Sequence, residues 1–210
     1  MKFRKLLTAS LFASSVLICV NAQEKVVNQI NKPILVLKPG KSIKVDGIID
    51  KDEWTDADSL IIELNNHWKS TVYFKHDSAH ILFAFTNLAQ EKGKDCVVDL
   101  YIDLLNKKSK EWDSDDLWLH ASYSDCEGKG KYEDWKSCSK TKPDWLANNL
   151  PYLNGNDNIE MQINISKISN KGHLSELGFC FSVHHDDIKN KWPIEADYTK
   201  PSTWGTITFL

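Results

Sequence analysis

Long hydrophobic segments are scarce in this chain, and the single extended apolar run lies at the N-terminus. Leu6–Val20 is shorter than the ~20 residues that a helix needs to cross a bilayer. Basic residues precede this run, and Ala22 follows it with the small side chain that a signal peptidase favours. The pattern predicts a secretory signal peptide over residues 1–22. Because no second run follows, we expect no membrane span over residues 23–210.

Cys19 leaves a lipoprotein alternative open, since a lipidated cysteine also follows an apolar run. Ile18 stands directly before it, however, at a position where a lipobox has a small residue. We therefore expect cleavage after Ala22 and export of the remaining chain, either as a secreted protein or into a periplasm.

Basic residues are not in excess, which argues against one class of partner. The chain has 26 lysines and arginines against 29 aspartates and glutamates, a net charge of −3, and no basic stripe. Nucleic acid is therefore not an expected partner. The pattern Cys-x-x-Cys is absent as well, which argues against a zinc site and against haem held by His184, His185 and Met161.

Four cysteines follow the predicted signal peptide, and an exported chain can use them in disulfides. Cys126 and Cys138 flank one loop rich in glycine and lysine, so we predict that they pair. Cys96 and Cys180 lie in predicted strands, where they either pair with each other or stay as buried thiols.

Long helical periodicity is absent too, whereas short segments of alternating polar and apolar residues recur. Segment 97–104 places Asp99, Tyr101 and Asp103 on one face and apolar side chains on the other. The same alternation occurs in segments 117–124, 159–165 and 179–183. Many short strands separated by turn residues predict an all-β fold, an antiparallel β-sandwich of the jelly-roll kind.

Segment 127–157 departs from this pattern. It is long, shows no clear strand, and contains Trp135 and Trp145. Segments of this length without secondary structure are often functional, so we predict an insertion loop that takes part in binding.

Val45–Trp54 combines a turn, a helix cap and a large ring in a short segment. Asp46 and Gly47 can supply the positive φ of a tight turn. Asp50 can cap a short helical turn, and Trp54 then has a large apolar surface to bury. Alone, the segment predicts only a turn followed by a core aromatic residue.

Several later motifs follow this segment in a fixed order. They are a strand with alternating acidic residues, an acidic turn into a strand, a strand with a glutamate, a Gly-Phe-x-Phe strand and a closing Pro-x-x-aromatic-Gly: Cys96–Asp103, Asp113–His120, Asn158–Ile163, Leu177–Val183 and Pro201–Gly205. In order and spacing, these motifs resemble carbohydrate-binding module family 9, and the resemblance covers nearly all of residues 23–210.

The resemblance implies a β-sandwich that binds sugar on its surface and does not cleave it. In that family two aromatic rings clamp the end of a sugar, and polar side chains contact its hydroxyl groups. By motif, Asp99 matches an acidic position that contacts sugar, and Tyr198 falls near one of the clamping rings. Trp118 and His120 match polar positions on the neighbouring strand.

The other clamping ring of the family should lie just before Cys96, but residues 89–95 contain no aromatic residue. We expect a replacement from a tryptophan in loop-like, charged surroundings, and these tryptophans are Trp112, Trp135, Trp145 and Trp192. Trp54 and Trp204 lie instead in structural motifs and are expected in the core.

Four aspartates offer oxygen ligands for calcium, which relatives in the family often bind. They are Asp103, Asp113, Asp115 and Asp116. A solvated acidic turn is the alternative interpretation, and no other cofactor is expected.

The sequence therefore indicates a secreted, non-catalytic protein that binds a polysaccharide or oligosaccharide through aromatic and acidic side chains. It would act alone or beside separate polysaccharide-degrading enzymes. Two alternatives stay open. One is a glycoside hydrolase-like enzyme with Asp99 and Glu160 as its carboxylate pair. The other is a structural or protein-interaction sandwich whose aromatic residues are simply core.

Overall fold

The alternating segments of the sequence form β-strands that pair into two sheets. The computed structural model describes residues 32–65, 68–88, 96–122, 126–130, 134–135, 144–148, 158–169, 176–185 and 188–210. These residues all belong to one unit, Lys32–Leu210. The predicted signal peptide, Cys19 and the segment before Cys96 that lacks an aromatic residue lie outside the described ranges.

The larger sheet has eight strands within these ranges. Their order is β1 (Ile34–Leu37), β13 (Gly205–Phe209), β11 (Leu177–His185), β5 (Cys96–Asp103), β6 (Asp116–Ser122), β7 (Cys126–Gly130) and β8 (Asp134–Trp135), and β12 (Ile188–Trp192) pairs with the second half of β11. All neighbours run antiparallel except β1 and β13, which are parallel.

The smaller sheet has five strands in the described part of the chain, and all its neighbours are antiparallel. Their order is β2 (Asp58–Asn65), β3 (Trp68–His76), β4 (His80–Thr86), β10 (Ile159–Asn164) and β9 (Trp145–Asn148). Within the described residues, two single-turn helices, α1 (Lys51–Trp54) and α2 (Ile165–Ile168), and a 3₁₀ turn (Pro201–Thr203) connect strands. The predicted all-β sandwich is confirmed.

The main core lies between the two sheets because each sheet turns its apolar face inward. Phe83 of β4 stacks on Phe179 of β11 with ring centroids 5.2 Å apart, and Phe85 meets Phe181 edge-on at 5.3 Å. All four rings are fully buried, and burying each one stabilises the sandwich by about 1.5–3 kcal/mol. The opposite face of each sheet is left for other contacts.

The prediction of an insertion loop without strands over segment 127–157 is wrong in part. β7, β8 and β9 lie at least partly within it, and β9 carries Trp145 into the main core. The loop position expected for Trp192 is also wrong, because this residue ends β12. Much of the remaining segment, with the side chain of Trp135, lies outside the described residues.

Val45–Trp54 forms the turn and the cap that its sequence predicts. Gly47 has a φ of 76°, a left-handed conformation that glycine adopts without steric cost. The Asp50 side chain accepts a hydrogen bond from the backbone nitrogen of Asp52 at 2.9 Å and so caps α1.

Glu160 of β10 anchors this segment to the outer face of the smaller sheet. Its carboxylate accepts hydrogen bonds from the backbone nitrogens of Asp46 and Gly47 and from Nε1 of Trp54, at 2.9–3.0 Å. Trp54 is 4% exposed and Glu160 is fully buried, so Trp54 is a core residue as expected. A single buried carboxylate therefore accepts three hydrogen bonds from a distant part of the chain.

The cysteines divide into two groups. Cys96 and Cys180 are buried and form no disulfide, so of the two options open for them the second is confirmed. Cys126 is disulfide-bonded, but Cys138 lies outside the described residues, and its pairing with Cys126 stays a prediction. Among the described helices, none has the length and apolar character needed to span a membrane.

Candidate functional site

The outer face of the larger sheet carries most of the predicted ligand-binding residues, because side chains alternate along each strand. Val98 and Leu100 of β5 point into the core, so Asp99 and Tyr101 point outward. The register then places Asp99 beside His120 of β6, and Tyr101 beside Trp118. The structure thus brings Asp99, Trp118 and His120 together, as their positions in the sequence predict.

Asp99 is the centre of a hydrogen-bond network on this face. Nε1 of Trp118 donates to its Oδ1 at 2.9 Å, and Nδ1 of His120 lies 2.8 Å from the same oxygen. On the other side, Oγ of Ser182 lies 3.4 Å and Nε2 of His184 3.2 Å from Oδ2. Because an ionised carboxylate only accepts, both histidines present a donor to it.

The electrostatics of Asp99 follow from these contacts. Burial by itself would raise its pKa, since Asp99 is only 6% exposed. Hydrogen bonds from His120, His184 and Trp118, together with the charge of His120, outweigh burial and hold the pKa of Asp99 well below its ordinary value. Asp99 therefore stays ionised and fixes the orientation of Trp118 and His120.

Four aromatic residues form a second cluster beside this network. Tyr101 stacks on Tyr198 with centroids 4.8 Å apart and an interplanar angle of 19°. Trp112 stands edge-on to Tyr101 at 6.4 Å, and its Nε1 donates to the backbone oxygen of Tyr198 at 2.7 Å. Trp204 is fully buried beneath them, as expected of a core residue. Burial raises the pKa of Tyr198 to about 12, so its phenol stays protonated.

A surface groove joins the network to the aromatic cluster. It has a volume of about 360 Å³ and is lined by Tyr101, Trp112, Trp118, Lys129 and Gly130. Trp118 and Lys129 are cross-strand neighbours on β6 and β7, which explains why both reach the groove. The groove offers apolar rings with a cation and fixed polar groups at its edge, a combination found in ligand sites.

Several other residues of this face were not predicted from the sequence. Ser182 and His184 alternate with the core residues of β11 and could have been found by the rule that identified Asp99. Lys189 of β12 lies 4.1 Å from the ring centre of Tyr198, and burial lowers the pKa of this lysine. Neither Lys189 nor Lys129 has a local sequence signal, because their neighbours come from other strands.

Two predicted ligand contacts are corrected by the structure. Trp145 is fully buried between the sheets, so its ring cannot reach this face. Trp192 packs on the core side, where it stacks on Phe181 at 6.0 Å. Both rings are apolar, and their burial stabilises the sandwich.

The aspartates proposed as calcium ligands take part in local structure. Asp103 accepts hydrogen bonds from the backbone nitrogens of Lys107 and Lys108 at 3.1 and 2.8 Å. The Lys107 ammonium group pairs with Asp113 at 3.2 Å and with Asp115. Within the described ranges, no three acidic, histidine or cysteine side chains form a group that could hold a metal ion. Calcium binding stays a prediction that this arrangement does not support.

Asp116 lies opposite Asp103 on the neighbouring strand. Burial, followed by the charges of Asp103, Asp113 and Asp115, raises its pKa to about 7, although the backbone nitrogen of Asp113 donates to it at 2.7 Å. The alternative interpretation was a solvated acidic turn. Asp115 and Asp116 are instead buried against the sheet.

Asp99 and Glu160 do not form a catalytic pair. Each points away from the main core, Asp99 from the larger sheet and Glu160 from the smaller one. Packed sheets lie ~10 Å apart, and both sheets separate the two carboxylates. A glycosidase pair needs carboxyl groups within about 5–9.5 Å. The alternative enzyme that uses these two residues is therefore wrong.

Comparisons with known proteins give a result at the level of structure. No protein-family model matches the chain, and no curated protein matches it. Among solved structures, a carbohydrate-binding module of family 9 from Caldicellulosiruptor kristjanssonii in complex with cellotriose is similar, with a TM-score of 0.59 and 16% sequence identity over 84% of this chain and 93% of that chain. The chain has a family 9-like fold.

A second family 9 structure from the same organism, in complex with glucose, gives the same TM-score and identity over 85% of this chain and 96% of that chain. Nearly the whole neighbouring module is thus matched, although few residues are shared. The family 9-like fold is what the motifs from Val45–Trp54 to Pro201–Gly205 imply, and that part of the sequence prediction is confirmed.

Proposed function

We propose that this protein binds a glycan on the outer face of its larger sheet and does not cleave it. The observation that carries the proposal is the fixed ring of Trp118, held by Asp99 and lining one groove with Tyr101 and Trp112. The C–H faces of sugars stack on aromatic rings, while their hydroxyl groups need donors and acceptors. A ring that is already oriented loses little conformational entropy when it binds.

The polar groups around the groove support the same ligand class. His120 lies beside Trp118 with ring centroids 5.4 Å apart, and Lys129 lines the groove with it. The Lys129 ammonium group can donate to sugar oxygens. Solved structures of this fold hold cellotriose and glucose, so glucans are the first probes to test.

Several features favour binding over catalysis. Asp99 accepts from four side chains, and its lowered pKa suits an ionised anchor rather than a general acid that must carry a proton near neutral pH. In this proposal Asp99 acts through Trp118 and His120, and Tyr198 supports Tyr101 from behind.

The proposal includes a place of action. Residues 1–22 have the pattern of a secretory signal peptide, so we infer that the protein works outside the cytoplasm, secreted or periplasmic. There it would meet polysaccharides and the separate enzymes that degrade them. Calcium would be an accessory ligand at most.

A glycan array, followed by affinity electrophoresis in gels that contain the best polysaccharide, tests the function. We expect retention of the wild-type protein and its loss in Trp118→Ala. Ile61→Ala is a matched control, since Ile61 is exposed on the smaller sheet. Binding to no glycan on the array would overturn the function, whereas full retention of Trp118→Ala would overturn only the site.

A further inference from the structure

Trp112 lines two grooves, which makes it the boundary between them. The first is the groove of Tyr101, Trp118 and Lys129. The second has a volume of about 780 Å³ and is lined by Lys110, Glu111, Trp112, Thr199, Lys200 and Ser202. Because Trp112 lines both, the two grooves adjoin at this residue.

The Trp112 ring is held in a fixed orientation. Its Nε1 donates to the backbone oxygen of Tyr198 at 2.7 Å. Its ring stands edge-on to Tyr101 at 6.4 Å and to Trp204 at 6.1 Å, with interplanar angles of 86° and 81°. Edge-to-face contacts of this kind stabilise the ring beyond the effect of its buried area, so Trp112 forms a stable ridge between the grooves.

The walls of the second groove are also tied together. The backbone nitrogen of Ser202 donates to the backbone oxygen of Ser109 at 2.7 Å, which joins the two loops that face each other. Asp197 accepts from the backbone nitrogen of Thr199 at 3.0 Å and from the ammonium group of Lys200 at 2.7 Å. The groove is therefore preformed.

Polar groups in this second groove suit sugar hydroxyls. Lys110 and Glu111 are exposed, and within the described residues neither forms an ion pair. One supplies donors and the other acceptors, and Thr199 and Ser202 add hydroxyl groups on the opposite wall. The lining is mixed in charge, which fits a neutral polar chain.

The stacked pair of Tyr101 and Tyr198 rules out one way of holding a sugar. A ring that sits between two aromatic rings needs each of them about 3.5–4 Å away. The centroids of Tyr101 and Tyr198 are only 4.8 Å apart, so this pair is closed to a sugar. The open aromatic surface instead runs along the groove from Trp118 to Trp112.

We propose that the site takes a linear glycan whose internal units lie in both grooves and whose chain crosses Trp112. The inference rests on the proposed function and names its ligand class, an extended chain of several sugars gripped along its length and not only at its end. Trp118 and Lys129 contact one part of this chain, and Lys110 and Glu111 contact another.

Isothermal titration calorimetry with glucose, cellotriose and cellohexaose tests this inference, together with cellohexaose whose terminal ring has been opened by borohydride reduction. We expect affinity to rise at least about tenfold from glucose to cellohexaose, because the longer chain makes additional hydrogen bonds in the second groove. Reduced cellohexaose should bind within about twofold of the intact chain, because its internal units are unchanged.

The double variant Lys110→Ala, Glu111→Ala tests the contribution of the second groove separately from that of the first. We expect the ratio of cellohexaose to cellotriose affinity to fall by about threefold to tenfold, which corresponds to loss of one or two hydrogen bonds. Lys51→Ala, Asp52→Ala is the matched control, because both residues are exposed on α1 at the smaller sheet.

Three outcomes would overturn the inference while leaving the proposed function intact. These are equal affinity for all three lengths, loss of binding on borohydride reduction, and an unchanged length dependence in the Lys110, Glu111 variant. Binding of none of the probes would overturn the extended glucan site, and the glycan array would then decide the function separately.

Discussion

The outer faces of the two sheets carry the same pair of groups in different surroundings. On each face one buried carboxylate accepts from an indole nitrogen, Asp99 from Trp118 at 2.9 Å and Glu160 from Trp54 at 3.0 Å. The remaining donors to Glu160 are backbone nitrogens, whereas those to Asp99 are side chains. The same pair is a structural anchor where the chain covers it and a candidate binding surface where it is left open.

The pKa values of the two carboxylates diverge for the same reason. Burial raises the pKa of Glu160, and hydrogen bonds from Trp54, Asp46 and Gly47 offset this only in part. Burial acts on Asp99 too, but two histidines overcome it and lower the pKa. Neutral backbone donors and ionisable side-chain donors thus give opposite results for similarly buried groups.

The largest effect should come from removing the covered anchor. Glu160→Ala leaves two backbone nitrogens and the indole of Trp54 without an acceptor in a buried site. We expect it to lower the free energy of unfolding by about 3–5 kcal/mol, measured by urea denaturation. Asp99→Ala is the matched variant and should cost less, because its donors are side chains that can reach water. Equal losses would remove the distinction between the faces.

The two tryptophans should differ in what their removal affects. Trp118→Ala should weaken glycan binding at least about tenfold, or about 1.4 kcal/mol, with a smaller change in stability. Trp54→Ala should destabilise the fold by about 3–5 kcal/mol, because it empties a buried site. Calorimetric titration and urea denaturation of both variants give the comparison. A Trp118 variant that loses stability but binds normally would contradict it.

Acid should affect the two faces in opposite directions. The pKa of Asp99 is lowered by folding, so its ionised form contributes stability above its unfolded pKa of about 4, and this is lost as the pH falls toward the folded value. The pKa of Glu160 is raised, so its contribution is largest at low pH and is lost as the pH rises through the folded value.

Urea denaturation of wild type, Asp99→Asn and Glu160→Gln between about pH 2 and pH 6 measures this difference. As the pH falls, the stability gap between wild type and Asp99→Asn should shrink, and the gap between wild type and Glu160→Gln should widen. Parallel pH curves for the three proteins would show that the two carboxylates do not differ in this way.

The smallest expected effect is at the turn that covers Glu160. Gly47 has a φ of 76°, so Gly47→Ala should destabilise the protein by about 1 kcal/mol. Gly47→Asn should cost less, because asparagine tolerates the left-handed conformation. Thermal denaturation of both variants checks this order, and an alanine variant as stable as wild type would contradict it.

The fold and part of the site follow from the sequence because alternation along a strand is a local property. It placed Asp99, Trp118 and His120 on a polar face without knowledge of their partners. It could have placed Ser182 and His184 there as well. The order in which β11, β5 and β6 pair is not local, and it determines that these five residues meet.

Trp145 and Trp192 show where sequence reasoning fails. Both lie in short strands among charged or polar residues, which is typical of loops, yet each is packed by strands far away in the chain. Trp112 was expected as a binding residue. Its indole nitrogen donates to Tyr198, which lies in the loop after β12, and this contact could not be predicted from the sequence. Burial of a single ring depends on tertiary neighbours more than on adjacent residues.

The parallel pairing of β1 with β13 has a consequence for how the chain is made. β1 is among the first described residues to leave the ribosome, and its partner is among the last. Contacts between such distant segments form slowly, and β1 at the edge of the larger sheet can pair only after β13 has been synthesised. A nascent chain that stops before Gly205 lacks the strand that pairs with β1 and with the first half of β11. Completion of the larger sheet therefore requires that synthesis has passed β13.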